Sequence, residues 1–384
     1  MNRRVQLGSL AVGVAFLFAT IAGAFLDPAQ FYPSYLMGYL FWLAITLGSL
    51  GVVALGHLVG GQWALVSRRA MEAAFRTLPL MVVLFVPVLI GMRTLYPWSR
   101  PDVMAGDELL RRKEPYLNVP FFLGRTAFYF ACWLVIAHFL NKWSIERDET
   151  GDAALSRRLA GLSSAALVIY VLTASFASID WLVSLEPHWY SSIFGLMFVA
   201  GQALSALLFT VIVLSVLKGY PPIANVISRK QFHDLGNLIL TFVMLWAYLA
   251  FSQLLIIWSG NLQLEITHYA HRQSAGWMAV GLALLMLHFA VPFALLLSRE
   301  VKRNAAHLAR VSGGLLVLRV VDYFWLVEPP FEPAGPRLHW LNLTALIGIG
   351  GIWFAFYLRQ LKRAPLLPRQ DPEFEVQMER TEEV

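Results

Sequence analysis

Ten windows of about 20 apolar residues follow one another along this chain, and that repetition constrains its fold more than any motif does. Each window can cross a hydrocarbon core of roughly 30 Å as an α-helix. The approximate spans are 7–25, 36–59, 77–95, 121–140, 160–182, 191–217, 235–259, 275–298, 308–327 and 339–359. Lipid offers no partner to an open backbone amide, so such runs specify helices. The expected fold class is an all-α integral membrane protein of about ten transmembrane helices. Connections are short except near 97–120 and 141–159, which leaves no soluble domain. Charged residues make up 14% of the chain, against about 25% in soluble domains. The single Cys132 excludes internal disulfides, cysteine-ligated iron–sulfur clusters and C-x-x-C-H haem attachment.

Loop charges set the expected orientation. Twenty Lys and Arg fall on one side, in the loops holding Arg3, Arg68, Lys142, Lys218, Arg299 and Arg359. Six fall on the other: Arg100, Arg111, Arg112, Lys113, Arg272 and Arg337. The positive-inside rule then places both termini in the cytoplasm of a bacterial inner membrane. The first window imitates a cleavable signal peptide, with Arg3–Arg4 before it and Ala22-Gly23-Ala24 near its end; a retained helix is expected. Residues 1–363 form one membrane domain. Residues 364–384 form a Pro-rich, then acidic, cytoplasmic tail with the composition of an extended or disordered segment.

Polar residues inside the windows are the functional candidates, because a charge at membrane depth costs roughly 2.5–3.5 kcal/mol even on lenient scales. Arg319 and Asp322 lie one turn apart in the ninth window. Counting 1.5 Å per residue puts Asp322 about 8 Å and Arg319 about 12 Å below the outer end. Gln253 and Tyr248 fall at about 9 and 17 Å, and His288 at about 20 Å, near the midplane. If the seventh to ninth helices pack together, these five residues form a proton pathway from the outer surface inward. The structural alternatives are a neutralised ion pair and interhelical hydrogen bonding.

A second, periplasmic cluster joins Arg93, Arg125 and Asp180, in which Asp180 can pair with either arginine as a clamp. The adjoining loop carries Glu186 and His188 among Trp181, Trp189 and Tyr190, a composition suited to a quinone headgroup, a proton exit or a docking surface. His57 and His138 lie near the cytoplasmic ends of their helices. Paired histidines on two helices can hold a b-type haem, but they are shallow and lack a second matched pair. With His233 and Asp234 they are candidates for proton uptake, although Asp234 also reads as a simple helix cap. His268, His271 and Arg272 share the outer loop with Glu265, in a spacing that matches no metal pattern.

Five stretches together resemble one family: Pro115–Arg125 (PYLNVPFFLGR), Phe176–Gly195 (FASIDWLVSLEPHWYSSIFG), Phe232–Asn237 (FHDLGN), Trp246–Gln253 (WAYLAFSQ) and His288–Phe293 (HFAVPF). They are similar to ActF, the second NrfD-like polytopic subunit of bacterial alternative complex III, a quinol:cytochrome c (or electron-carrier) oxidoreductase. The resemblance spans almost the whole chain. It implies two four-helix bundles, helices two to five and six to nine, flanked by helices one and ten. It also implies company: a related NrfD-like quinol-oxidising subunit, an iron–sulfur subunit, multihaem and monohaem cytochromes c, and a small membrane subunit. No redox cofactor, metal or catalytic residue is implied within the chain; quinone, quinol or lipid are its candidate ligands. The expected function is a cofactor-free respiratory subunit that conducts protons and scaffolds the complex. A quinol site at the periplasmic face, with Glu186, His188 or Asp180 taking protons, and a purely architectural role are the alternatives. A stand-alone transporter is a weaker option, since no substrate-sized broken helices stand out.

Overall fold

A computed structural model describes residues 3–220, 227–273 and 276–366, and among these every regular element is helical. Most of the expected tail, from residue 367 on, lies outside the described residues. The chain opens with α1 (Arg3–Leu26), α2 (Pro28–Val59) and α3 (Gln62–Phe75). Three short pieces follow: α4 (Leu78–Leu84), α5 (Val86–Ile90) and α6 (Met92–Leu95). Next come α7 (Pro101–Gly106), α8 (Glu108–Lys113), α9 (Val119–Thr150), α10 (Ala153–Trp181) and α11 (Phe194–Leu217). The second half holds α12 (Arg229–Gly260), α13 (Gln263–Gln273), α14 (Trp277–Ala283), a π-helical turn at Leu284–Ala290 and α15 (Val291–Leu297). Then α16 (Arg299–Arg303), α17 (Ala305–Val327) and α18 (Trp340–Leu361) close the fold.

Nine segments among the described residues are long and apolar enough to cross a membrane. The tenth expected span is α17, 23 residues long, which carries Arg310, Arg319 and Asp322 and so is not uniformly apolar. Large apolar side chains face outward along the helices, such as Phe18, Val83, Phe128, Phe251 and Val317. That much exposed apolar surface would aggregate in water. The protein is a multi-pass, all-α membrane protein.

At the centre runs α2. Asp27 caps it by accepting from Gln30 N at 3.2 Å, and Pro28 starts it. Its hydropathic segment is 94% buried, far more than any other, because small residues let neighbours approach. A Cβ on Gly48 would stand 1.9 Å from the Gln202 carbonyl of α11, and one on Gly38 would stand 3.0 Å from the Leu346 amide of α18. Thus α2 packs on α3, α10, α11, α17 and α18. The first and last helices pair closely, with Gly13 against Gly351 and Gly348 against Leu17.

Several boundaries differ from the sequence expectation. The loop expected near 141–159 is helical: α9 runs to Thr150 and α10 starts at Ala153, with left-handed Gly151 (φ 66°) turning between them. Residues 62–75 are helical as well. α3 packs against α2, α11, α12 and α18, so it lies across the end of the assembly where α2 stops. We call this the basic end. The third window is broken around Phe85 and Gly91, each break close to a proline or a glycine. The long connection at 97–118 contains two short helices, α7 and α8.

Candidate functional site

Arg319 and Asp322 meet as the i,i+3 spacing on α17 requires, with Nη1 to Oδ2 at 2.5 Å and both side chains buried. Arg319 Nε donates to Ser205 Oγ of α11 at 3.3 Å, and the guanidinium lies 5.2 Å from the Tyr323 ring. Gly201 of α11 makes room for it, since a Cβ there would fall 2.3 Å from Arg319 Nη2. His288 sits on the π-helical turn, fully buried, with its ring 4.2 Å from Trp246 of α12. Arg319 is close enough to act electrostatically on it.

The surroundings hold more polar atoms than the protein satisfies. Both ring nitrogens of His288, the Tyr323 hydroxyl and Gln202 Nε2 are buried without a hydrogen-bond partner. Gln202 Oε1 accepts from the Tyr170 hydroxyl of α10 at 2.7 Å. Leaving one such group unpaired costs about 1–3 kcal/mol. Asp322, Arg319 and His288 are therefore brought together. Tyr248 is not: its side chain is 66% exposed and faces away from them. Gln253 also belongs elsewhere, accepting from Ser191 Oγ at 2.9 Å and donating to the Tyr269 hydroxyl at 3.3 Å. Gln202, Tyr323 and Tyr170 take their places. Of these, Gln202 was visible as an isolated amide in an otherwise apolar run.

At the opposite end from α3, Asp180 accepts from Arg125 Nε at 2.9 Å, from Arg125 Nη2 at 2.8 Å and from the Tyr129 hydroxyl at 2.8 Å. The guanidinium also stacks 3.8 Å from the Tyr116 ring and donates to the Tyr116 carbonyl. This clamp joins α9, α10 and the segment before α9. Arg93 is exposed on α6, and among the described residues no ion pair links it to Asp180.

Glu186 is separate from the clamp. Its carboxylate is met by Arg272 Nη1 at 2.8 Å and His268 Nδ1 at 3.1 Å on one oxygen, and by His271 Nδ1 at 3.3 Å on the other. Arg272 also donates to the Trp325 and Leu326 carbonyls, tying α13 to the end of α17. Burial opposes ionisation of Glu186, but His268 and Arg272 outweigh it and hold its pKa well below the ordinary 4.5. Burial and Arg272 push His268 down to about 4, so it is neutral near pH 7.

The hydrogens then fix its tautomer. Arg272 Nη1 has two hydrogens but three acceptors within 2.9 Å: Glu186 Oε1, His268 Nδ1 and the His268 carbonyl. Placing the proton on His268 Nδ1, donating to Glu186, satisfies all of them. Nε2 is left as a buried acceptor with no partner, in a ring stacked 3.9 Å from Trp189 at 10°. The sequence placed Glu186 and these histidines in different loops 82 residues apart, so only folding joins them.

His188 instead pairs with Asp107, Nε2 to Oδ2 at 2.6 Å, while Lys113 donates to the Pro187 carbonyl. That pair lowers Asp107, first through the hydrogen bond from His188. The candidates at the basic end do not form one site. His138 is exposed and lines a groove with Arg76 and Arg363, His57 lines another pocket near Trp63, and His233 and Asp234 are half-buried near the start of α12. Among the described residues no group of three His, Cys, Asp or Glu converges to hold a metal. Compared with known proteins, the chain matches no family model, and no curated protein resembles it significantly.

Proposed function

We propose that this chain is an integral membrane subunit of a bacterial respiratory quinol-oxidising complex of the alternative complex III kind. In this reading it carries no redox cofactor and supplies a proton route and a scaffold. The helices divide into two bundles, residues 36–182 and 191–327, flanked by α1 and α18, with both termini cytoplasmic. Its partners are the related NrfD-like subunit, the iron–sulfur subunit, the cytochromes c and the small membrane subunit.

One observation carries the proton route: the set of buried polar atoms without protein partners around Arg319 and Asp322. Asp322 exchanges a proton with waters held by Tyr323 and Gln202, and Arg319 keeps a counter-charge beside the carboxylate. His288, whose two ring nitrogens have no protein partner, exchanges a proton with the same waters. The test is the complex purified with its partners and reconstituted in proteoliposomes. Asp322→Asn should lower protons moved per electron at least twofold while electron transfer continues. An unchanged ratio would sink the route.

A second reading is a quinol site at the opposite end from α3, favoured by the free, buried Nε2 of His268 beside Trp189. A neutral imidazole in that position accepts a hydrogen bond or proton from a quinol hydroxyl, with Glu186 holding the tautomer. His268→Gln should then raise the apparent KM for quinol about tenfold or more. Unaltered steady-state kinetics would reject it.

A further inference from the structure

The basic end holds a polar feature that neither reading uses. A groove of about 840 Å3 lies between the α3–α4 turn, the middle of α9 and the end of α18. Its lining includes the polar Arg76, Arg363 and Asn141 and the apolar Phe75, Leu134 and Phe356. The nearest carboxylates are committed. Glu72 accepts from Ser144 at 2.5 Å and pairs with Arg69, while Asp148 pairs with Arg68 and Arg69. Arg76 Nε and Nη2 and Asn141 Oδ1 are buried with no hydrogen-bond partner. Arg363 is exposed and donates to Gln360 Oε1 at 3.3 Å.

Two guanidiniums share this groove and no carboxylate is among its lining residues; Glu72 attracts Arg76 from outside the groove but leaves its Nε and Nη2 without a hydrogen bond. An anion with several oxygens satisfies both, and arginine matches phosphate geometry well. The apolar wall selects further: inorganic phosphate has no use for Phe75, Leu134 and Phe356, whereas an acyl chain does. The groove also lies where basic side chains meet anionic headgroups at a membrane surface.

We propose that this groove binds one anionic phospholipid, its phosphate held between Arg76 and Arg363 and an acyl chain lying along Phe75, Leu134 and Phe356. The site depends on the membrane reading of the chain, not on its respiratory assignment.

The test uses the full chain, purified in mild detergent with any partners it retains and then delipidated. Mixed micelles of phosphatidylglycerol, the same micelles with phosphatidylcholine, and inorganic phosphate alone are titrated separately. Thermal unfolding and native mass spectrometry read the binding. Phosphatidylglycerol should raise the Tm and add one retained lipid, while phosphatidylcholine and phosphate at equal concentration should not. Arg363→Gln, at an exposed side chain that tolerates change, should weaken phosphatidylglycerol about tenfold. Arg76→Gln combined with it should abolish the retained lipid. Deleting residues 367–384, which carry the acidic run after Arg363, should leave the affinity within about twofold. Equal binding of both lipids, an identical shift from phosphate alone, or no effect of Arg363→Gln would each overturn the site. So would a tail-deleted chain binding tenfold tighter, because the acidic segment would then be the groove's occupant.

Discussion

Arg319 is kept at membrane depth because every part of its surroundings accommodates it. Asp322 neutralises it, Ser205 takes one N–H, and Gly201 offers the only side chain small enough for the guanidinium to lie against α11. Removing one partner of a buried pair strands the other charge and typically costs about 3–5 kcal/mol. Asp322→Asn keeps a hydrogen-bonding group in place, which is why it suits the proton test better than Asp322→Ala. Glu328 presents the opposite case, a buried carboxyl with no ion pair among the described residues. Gln30 and Asn342 donate to it, joining the ends of α2, α17 and α18, but burial dominates and raises it to about 7. A raised carboxyl pKa means the folded state holds the proton more tightly. Its stabilising contribution is therefore complete below about 4.5 and is lost as pH rises through about 7. Glu328→Gln should match the wild type near pH 4.5 and exceed it by about 2–3 kcal/mol above pH 8. Thermal unfolding across that range checks it; parallel curves for the two proteins would refute the assignment.

The Glu186 cluster carries the reverse sign. Both Glu186 and His268 are depressed, so the folded state binds fewer protons than the unfolded chain. His268 loses its contribution as pH falls from 6.5 to about 4, and Glu186 loses its own below 4.5. His271 is raised by its bond to Glu186 and works the other way, but its half-exposed ring limits the effect. Protection factors for amide exchange over residues 263–273, with the intrinsic slowing on acidification divided out, should therefore fall between pH 7 and 4.5. Equal protection at both pH values would show that the salt bridges do not hold α13 down.

At the scale of elements, α2 organises the protein through what it lacks. Gly48 lets the α11 backbone touch it, and Gly51 receives the Tyr170 ring, with a Cβ there only 2.5 Å from the ring edge. Gly48→Val would force two backbones apart. It should lower the Tm by several degrees or abolish the folded yield, whereas Gly161→Ala on α10, with nothing within 4 Å, should be neutral or stabilising. Fluorescence-detected size exclusion of the two variants distinguishes them, and equal profiles would mean that α2 and α11 pack differently. The π-helical turn at Leu284–Ala290 matters in the same way. It adds a residue to the turn and rotates His288 inward against Trp246 while Met286 and Leu287 stay exposed.

For the whole molecule, the two ends differ in chemistry. One carries α3 and its buried Arg68, Arg69 and Glu72; the other carries Glu186, the Arg125–Asp180 clamp and the 97–118 segment. The loop charges predict an orientation that is directly measurable. In a Cys132→Ser background, a cysteine placed at Arg158 should react with an impermeant thiol reagent only from the cytoplasmic side, and one at Glu108 only from the periplasmic side. Labelling of both from one side would reverse or break the topology.

The helical, membrane-spanning character of the chain was legible in its sequence because apolar length is a local property. So was the Arg319–Asp322 pair, since three residues of helix bring the two side chains together. Arg125 and Asp180 could be placed at one depth by counting residues, though Arg93 was equally plausible by that count. What counting could not supply was azimuth. Tyr248 has the right depth and faces outward, while Tyr323 and Gln202 fill the space it was assigned. Contacts between loops distant in sequence were hidden for the same reason. Glu186 meets His268 and Arg272 only after α13 folds back over the helix ends, and Glu328 meets Gln30 across 298 residues. The sequence by itself determined that the chain lies in a membrane, roughly where its spans fall and which residues are costly there. Tertiary packing alone decided which of those costly residues are paired, which are left open, and on which face, because depth is set along a helix but facing is set by its neighbours.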